Sequence, residues 1–394
     1  MQEHRAKIGV VFLIVFIDLV GFGIVIPILP LYGERYASSP LELGLLMASF
    51  SAMQFLFAPV LGRLSDRVGR RPVLLISLLG SAAGYVLFGL AGSIGMLFLS
   101  RIVDGISGAN ISTAQAVIAD ITGPEERARG MGLIGAAFGL GFILGPAIGG
   151  LLVGIAHWLP GVAAAAASML AFILVVVALP ETLDPGARAE ARRHPLNLRS
   201  LAEALAHPLV GLCLVLVLLT VFSFSQFEAT FSQLAHHRLG LDERGVSFLF
   251  VYAGVLAVLV QGGLVGRLAR YVGEARLVVG GTAASFVALG LLPYRTSLGG
   301  ILAALALLAL GQGLASPSLS SLTSKLVDPD EVGGVMGIYQ SLSSLGRIGG
   351  PFAGQLLFGV GFHWPFRAAS VGFLAASGLA AVLLARLGRV ERPA

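Results

Sequence analysis

The chain has 394 residues, of which 56% are hydrophobic and only 12% are charged. A soluble domain carries about a quarter of charged residues, so the composition excludes a soluble globular protein and predicts a polytopic membrane protein. The net charge of +5 does not indicate nucleic-acid binding, because the basic residues lie in short loops between apolar segments. Cys213 is the only cysteine, which excludes an intrachain disulfide and a cysteine-based metal cluster. We therefore expect neither a bound metal nor a nucleic-acid partner.

Twelve apolar segments are long enough to cross a bilayer as helices, which takes about 20 residues each. They lie near residues 8–30, 43–62, 73–92, 95–120, 130–154, 160–180, 208–234, 244–266, 276–293, 299–325, 332–359 and 364–387. We predict an all-α membrane protein with twelve transmembrane helices in two pseudo-symmetric six-helix bundles. Residues 1–180 form the N-terminal bundle, the hydrophilic residues 181–207 a cytoplasmic linker, and residues 208–394 the C-terminal bundle.

The two halves of the sequence repeat each other. The tripeptide GRL at 62–64 recurs at 266–268, and the spacing G-x-x-x-G-P-x-x-G at 141–149 recurs at 346–354. Transporters built from such repeats bind substrate at the repeat interface, near the bilayer midplane. We therefore expect a substrate cavity between the two bundles.

Lysine and arginine are distributed unequally between the two sets of loops. The N-terminus, the C-terminal tail and the loops on their side carry 19 basic residues, whereas the opposite loops carry five. Basic residues concentrate on the cytoplasmic side of a membrane, so both termini are predicted to be cytoplasmic. We expect a multi-pass protein of the cell (inner) membrane, surrounded by the lipid bilayer.

A short basic stretch between the second and third apolar segments is the most specific motif in the chain. It reads GRLSDRVGRRPVLL from 62 to 75, with glycines that permit a tight reversal and a proline suited to the first turn of a helix. The spelling G-x-L-x-D-R-x-G-R-R-x-x-L resembles the loop 2–3 signature, motif A, of the major facilitator superfamily. The resemblance implies a cytoplasmic gate, whose residues here are Gly62, Asp66, Gly69, Arg70 and Arg71.

Asp66 is the acid within this basic stretch. Positive charge alone would set the topology, so we expect its carboxylate to bind the positive end of a neighbouring cytoplasmic helix. In relatives this is the start of the eleventh span, near Gly333 and Gly334 here, and Arg70 would support the contact. The alternative is a loop that serves only to orient the chain in the membrane.

Five ionisable residues lie inside apolar segments, where each is costly unless it faces a cavity or a partner. They are the predicted residues of proton coupling and substrate binding: Asp18, Arg101, Asp104, Glu228 and Arg347. Complete pairing of three acids with two arginines leaves one carboxyl over, which is the minimum equipment for exchanging a proton. The sequence does not decide which acid this is, although Asp104 and Glu228 are favoured.

Two stretches that contain these residues resemble the superfamily. Arg101 and Asp104 share one helix face and lie in a stretch, 97–109, that is similar to motif B, whose arginine is implicated in proton coupling in relatives. The alternative is a local ion pair that only fixes packing. Asp18 begins the run D-x-x-G-x-G-x-x-x-P-x-L-P, which resembles the first span of tetracycline-efflux and related drug:proton antiporters. An acid that serves packing is again the alternative.

The fifth span carries a glycine-proline motif at Gly141, Gly145, Pro146, Gly149 and Gly150. Glycines four residues apart leave a flat strip where another helix can approach closely, and proline bends the helix. The spacing G-x-x-x-G-P-x-x-G-G resembles motif C, which in the superfamily marks proton-driven antiporters. An ordinary helix-packing motif is the alternative.

Polar residues elsewhere in the spans are the expected lining of the cavity, and interhelical hydrogen bonding would explain each of them equally well. They are Gln54, Asn110, Gln115, Gln226, Gln312 and Gln340. No group of His, Asp, Glu or Cys has the spacing of a metal site or a nucleophile, so we do not expect an enzyme.

These observations favour a secondary active transporter, a proton-coupled antiporter that exports a small amphipathic compound by alternating access. Its partners would be protons and a small-molecule substrate, with the proton gradient as the energy source, no cofactor, and a monomeric state. Tetracycline itself is a doubtful substrate, because the chain lacks the acids that tetracycline exporters carry in spans 3 and 9 and has Gly84-Tyr85 in span 3. The alternative is a facilitator or symporter for a polar solute such as a sugar.

Overall fold

The computed structural model describes residues 2–37, 39–108, 110–121, 124–183, 203–327 and 332–390. Within these ranges all regular structure is helical. The first half contains α1 (Gln2–Val25), α2 (Leu29–Glu34), α3 (Pro40–Val68), α4 (Arg70–Gly89), α5 (Ile94–Ser107), α6 (Asn110–Ile121), α7 (Pro124–Val153) and α8 (Leu159–Ala178). The second half contains α9 (Val210–Leu239), α10 (Glu243–Leu259), α11 (Gly266–Val272), α12 (Glu274–Leu291), α13 (Leu298–Lys325), α14 (Val332–Val360) and α15 (Trp364–Val390).

Eleven stretches of the described chain are long and apolar enough to cross a membrane. The remaining predicted span, the eleventh, is α14, a 29-residue helix that is less apolar because it carries Gln340, Arg347 and several serines and glycines. The predicted all-α membrane fold is thus confirmed. Several helices run beyond the predicted spans, as α3 does to Val68, because a helix continues past the point where its side chains become polar.

Three of the predicted spans are interrupted. The first is broken between α1 and α2 by a turn that contains Pro27, which has no N–H to continue the helix. The fourth is broken between α5 and α6 at Gly108, whose carbonyl accepts a hydrogen bond from Gln54 Nε2 at 2.8 Å. The eighth contains a π-helical segment, Val260–Val265, between α10 and α11. Unwound backbone inside a membrane protein needs partners for its polar groups, and Gln54 supplies one.

The chain divides into two compact units. One comprises Met1–Ser38, Ser49–Arg193 and Leu241–Val251, and the other comprises Ser39–Ala48, His194–Gly240 and Tyr252–Ala394. In the first unit α1 packs against α7 and α8, and α4 packs against α5 and α8. In the second unit α9 packs against α14 and α15, and α12 packs against α13 and α15. The predicted bundle boundaries at 180 and 208 stay a prediction.

The sequence repeat is visible in local geometry. Gly69 precedes α4 with φ 114° and ψ 155°, and Gly273 precedes α12 with φ 86° and ψ 147°. Ser93 accepts the N-capping hydrogen bond of α5 from Met96 N at 3.3 Å, and Ser297 accepts that of α13 from Gly300 N at 3.2 Å. Equivalent turns therefore begin equivalent helices in both halves of the chain.

The glycine strip of α7 lies against α1. A Cβ added to Gly141, Gly145 or Gly149 would come within 2.8 Å of atoms of α1. Conversely, a Cβ on Gly23 of α1 would lie 2.7 Å from the carbonyl oxygen of Gly141 and 3.3 Å from Cδ of Pro146. The close helix contact that the spacing predicted is therefore made between α7 and α1.

The last glycine of the strip faces another helix, and the repeat in α14 has its own partner. A Cβ on Gly150 would lie 2.6 Å from Cβ of Ser247 at the start of α10. In the second unit, a Cβ on Gly346 or Gly350 would lie 2.9 Å or 2.6 Å from the backbone of Phe222 on α9. Close contact across a glycine strip thus recurs between α14 and α9.

We predict that Gly145→Ala destabilises the protein. Its Cβ would lie 2.6 Å from the backbone of Gly23, so α1 and α7 must separate, which costs about 1–3 kcal/mol of the free energy of unfolding. Thermal unfolding in detergent measures the loss. Gly280→Ala is the matched control, since a Cβ there meets nothing within 4 Å. Equal melting temperatures for the two variants would contradict this account of the helix contact.

Candidate functional site

A buried ion pair lies on α5. Arg101 Nη1 and Asp104 Oδ2 are 3.2 Å apart, and both side chains are only 2% exposed. Helix α5 is held on α4 by Ser100, whose Oγ donates to the carbonyl oxygen of Gly84 at 2.8 Å. A Cβ on Gly84 would lie 2.9 Å from Cβ of Asp104, so the glycine makes room for the carboxylate. The predicted shared face of Arg101 and Asp104 is observed.

Aromatic rings surround the Arg101 guanidinium. Its Cζ lies 5.8 Å from the ring centroid of Phe50 on α3, 5.8 Å from that of Tyr85 and 5.7 Å from that of Phe88, both on α4. Tyr85 and Phe88 are buried. Distances below about 6 Å are those of cation–π contacts. We call Phe50, Tyr85 and Phe88 the aromatic cage.

Asp18 on α1 meets Asn110, the first residue of α6. Asn110 Nδ2 donates to Asp18 Oδ2 at 3.1 Å. The other oxygens of the two side chains, Asp18 Oδ1 and Asn110 Oδ1, are buried and have no hydrogen-bond partner in the described chain. The charges of Asp18 and Asp104 interact. We call Asp18, Arg101, Asp104 and Asn110 the buried charge cluster of the first unit.

The second unit holds the other two predicted ionisable residues, Glu228 on α9 and Arg347 on α14. Arg347 Nη2 donates to Ser344 Oγ at 3.0 Å. Among the described residues no direct ion pair joins Glu228 to Arg347, but their charges interact. The role of Glu228 and Arg347 in proton coupling or substrate binding stays a prediction.

The remaining polar candidates lie in different environments. Gln54 supports the break at Gly108. Gln226 Oε1 and Gln312 Nε2 are buried without a hydrogen-bond partner in the ranges described, so both have capacity to bind a polar group. Gln115 is half-buried in α6, and Gln340 is exposed on α14.

Sequence reasoning missed a buried glutamine pair in the second unit. Gln355 Nε2 on α14 donates to Gln233 Oε1 at 2.7 Å and to the carbonyl oxygen of Ala229 at 2.8 Å, both on α9. Gln355 directly follows the glycine-proline stretch 346–354. This position was the available signal, because a glycine strip predicts close contact with another helix and Gln355 lies at its end. The structure identifies that helix as α9.

The motif A stretch is mostly helical, which corrects the prediction of a loop. Helix α3 runs through Gly62 to Val68 and α4 begins at Arg70, so the chain reverses at Gly69 alone. The positive φ of Gly69 makes the reversal. A Cβ on Gly62 would meet nothing within 4 Å, so neither a turn nor a close approach requires a glycine there.

Arg70 is the centre of an ionic network at this turn. Its Nη1 forms an ion pair with Asp66 and donates to Ser65 Oγ at 2.8 Å, and its Nε donates to Asp120 Oδ2 on α6 at 3.0 Å. Arg71 Nη2 donates to the carbonyl oxygen of Val176 on α8 at 2.6 Å. The turn is thereby tied to α6 and α8.

Glu181, just after α8, caps the start of α4 and was not among the predicted gate residues. Its carboxylate accepts hydrogen bonds from the N–H groups of Arg70 at 2.9 Å and Arg71 at 3.2 Å. It also accepts from the N–H groups of Thr182 and Leu183, each at 3.0 Å. Partial burial opposes ionisation, but these N–H groups hold the pKa of Glu181 below its ordinary value.

Eleven described stretches are long and apolar enough to cross a membrane, and ionisable groups are buried inside several of them, which is typical of a multi-pass membrane protein with a functional site in its interior. The family model described as Major Facilitator Superfamily matches residues 11–351 and 264–394. The chain belongs to the Major Facilitator Superfamily.

Its relatives include transporters of known name. Tetracycline resistance protein, class D, of Salmonella ordonez is 35% identical over 350 residues, covering 88% of this chain and 88% of that protein. Multidrug resistance protein 2 of Bacillus subtilis (strain 168) is 29% identical over 376 residues, covering 93% and 92%. The solved structure of the human organic anion transporter MFSD10 (TETRAN) superposes with a TM-score of 0.73 at 29% identity, covering 96% of this chain and 99% of that one.

We predict that Gly69→Ala is more destabilising than Gly273→Ala. Both glycines have a positive φ that costs another residue about 1–3 kcal/mol. Only at Gly69 would the Cβ also lie 2.2 Å from Glu181 Oε2, whereas at Gly273 it would meet nothing within 4 Å. Melting temperatures of the two variants in detergent check this. Equal losses would mean that Glu181 does not occupy the position described.

We predict that Glu181→Gln lowers stability by about 1 kcal/mol at neutral pH, the value of a helix cap. Because the folded-state pKa is lowered from 4.5, the stabilisation is present above that value and is lost as the pH falls through the folded pKa. The difference between wild type and variant should therefore shrink at strongly acidic pH. Thermal unfolding across a pH series measures it, and a difference that does not change with pH would exclude a charge-dependent cap.

Proposed function

We propose that this transporter is a proton-coupled antiporter that exports a small amphipathic compound across the cell (inner) membrane, with both termini cytoplasmic. The relatives named for tetracycline and multidrug resistance, at 35% and 29% identity, support the substrate class. The buried carboxyls support the coupling. The proton gradient supplies the energy and no cofactor takes part.

The observation that carries the proposal is the environment of Asp18. Its carboxylate meets one amide hydrogen, from Asn110, and its Oδ1 is buried without a partner in the described chain. Asn110 Oδ1 is an unsatisfied acceptor as well. A proton on Asp18 Oδ1 turns one of these two acceptors into a donor, whereas a bare carboxylate leaves both unsatisfied. The pair is therefore suited to bind and release a proton.

The arginines support the choice of Asp18 over the other acids. Arg101 forms an ion pair with Asp104, and the charge of Arg347 interacts with that of Glu228. The described polar contact of Asp18 is with a neutral amide, that of Asn110, and not with an arginine. The sequence had favoured Asp104 or Glu228 for this role, because spacing alone does not reveal which acid each arginine serves.

Alternating access would convert proton binding at Asp18 into export. The protonated cluster is nearly neutral and favours one state of the transporter, and the deprotonated cluster carries a net charge and favours another. Substrate and proton then occupy the transporter in turn, so that inward proton movement drives outward substrate movement. This step needs no group other than the side chains named.

We predict that Asp18→Asn abolishes transport driven by a pH gradient. The amide cannot exchange a proton, so accumulation of the probe compound ethidium in proteoliposomes should fall to background, while exchange of ethidium at equal pH persists. Fluorescence uptake and pH-dye release measure the two activities. Asp242→Asn is the matched control, because Asp242 caps α10 through Gly245 N at 2.8 Å and asparagine also caps well.

Two results would overturn the proposal. If the wild type transports ethidium equally with and without a pH gradient, the protein is a facilitator and not an antiporter. If Asp18→Asn keeps gradient-driven accumulation, another acid carries the proton.

A further inference from the structure

The hydrogen bonding of Arg101 is poor for a buried guanidinium. Besides the ion pair with Asp104, Nη2 lies 3.4 Å from Ser100 Oγ, and Nε has no hydrogen-bond partner in the part of the chain described. Arginine carries five N–H donors in a rigid plane. The guanidinium therefore has two described oxygen contacts, and three rings of the aromatic cage lie at cation–π distance from it.

Tyr85 stands among all the charges of the cluster. It lies close enough to Asp104, Asp18 and Arg101 to feel the charge of each. Its ring packs against Arg101 on one side, and its Cε2 lies 3.4 Å from where a Cβ on Gly21 would be. Gly21 is three residues after Asp18 and therefore on the same face of α1. The ring thus fills space between Arg101 and the face of α1 that carries Asp18.

We propose that Phe50, Tyr85 and Phe88 are positioning residues that determine which carboxyl exchanges the proton: they hold Arg101 on Asp104 and keep it from Asp18. A charge in an apolar interior is costly unless it is paired, so an unrestrained Arg101 would gain by contacting either acid. Two acids of one cluster would then share Arg101, and neither would be a dedicated proton site. With the guanidinium held by three ring faces, Asp104 keeps its counter-ion and Asp18 has none.

The charged and titratable groups around these acids are few. Those whose charges interact with Asp18 or Asp104 are the two acids themselves, Arg101 and Tyr85. Helix α1 also packs on α6, α7 and α8. The ionisable residue of α6, Asp120, accepts a hydrogen bond from Arg70 at the turn before α4. Helix α8 and the described side chains of α7 contain no ionisable residue. The position of Arg101 is therefore the main variable that the cage can control.

The experiment uses a carboxyl reagent and so needs no substrate. N,N′-dicyclohexylcarbodiimide reacts with protonated carboxyls in apolar sites. The full-length protein in lipid nanodiscs is treated over a series of roughly pH 5 to 9, and peptide mass spectrometry quantifies the modification of Asp18 and Asp104 separately. In the wild type we expect modification of Asp18 and little of Asp104.

Fluorinated phenylalanine at position 88 weakens the cage without removing the ring. Mono-, di- and trifluorinated residues reduce the negative charge of the ring face step by step. We expect the pH of half-maximal modification of Asp18 to fall progressively, by about 0.5 unit for the trifluorinated ring, and the share of Asp104 to rise. The same series at Phe50 should also lower the pH of half-maximal modification of Asp18. Phe50 packs on Phe22 whereas Phe88 packs on Tyr32, so agreement between the two series would not come from a shared ring neighbour.

Controls separate the cage from general packing. Phe12 is not part of the cage, and its ring centroid lies 6.0 Å from that of Phe16. Fluorination of Phe12 should leave both modification profiles unchanged. Tyr85→Phe keeps the ring and should retain the preference for Asp18, whereas Tyr85→Leu should lose it. Melting temperatures establish that the variants are folded.

Several outcomes would overturn the inference. They are an unchanged ratio of Asp18 to Asp104 modification in the fluorinated series, a wild type modified mainly at Asp104, and a wild type modified at neither acid. The inference rests on the proposed proton exchange at Asp18, but the two fail separately. A cage-dependent modification of Asp18 without gradient-driven transport would reject antiport and leave the role of the cage intact.

Discussion

A charge in an apolar interior is costly unless a partner compensates it, and this constraint shapes both described units. In the first unit, Arg101 and Asp104 are each only 2% exposed and form an ion pair. Burying such a pair is costly unless its geometry is good, so the surrounding helices have to be held accurately. Gly84 lets α4 approach the carboxylate, and Ser100 bonds the α4 backbone. The same contacts between α4 and α5 therefore fix the packing of the two helices and the geometry of the ion pair.

The same requirement distinguishes Asp18, the proposed proton site, from the other two buried acids. Arg101 and Arg347 each have an acid in their own unit, and these acids are Asp104 and Glu228. Asp18 has an amide instead. An amide can satisfy one oxygen of a carboxylate but cannot cancel its charge, so an ionised Asp18 keeps a charge that no described contact compensates. This difference in partner is what distinguishes a candidate proton site from an ion pair that stabilises the fold.

Sequence patterns predicted the features that follow from the residues of a single helix, such as its length, its hydropathy and the spacing of its glycines. Hydropathy located the eleven described stretches that could cross a membrane, and also α14, which is less apolar. Glycine spacing in α7 predicted the close helix contact that is made with α1. Contacts between helices distant in sequence could not be predicted, because spacing within one helix does not identify its partner. The cap of α4 by Glu181, the aromatic cage around Arg101 and the pairing of Gln233 with Gln355 all belong to this second kind. The breaks of the fourth and eighth spans depend on local backbone geometry that hydropathy does not report.

The hydrogen bonds between Glu181 and α4 determine which substitutions this turn can accept during evolution. Its carboxylate accepts main-chain N–H groups of Arg70 and Arg71, not their side chains. Any residue with an N–H can replace either arginine without breaking these bonds. Gly69 has no such freedom, because any side chain there would displace the carboxylate. Glu181 and Gly69 should therefore vary together in evolution, while positions 70 and 71 are constrained only by the contacts of their own side chains.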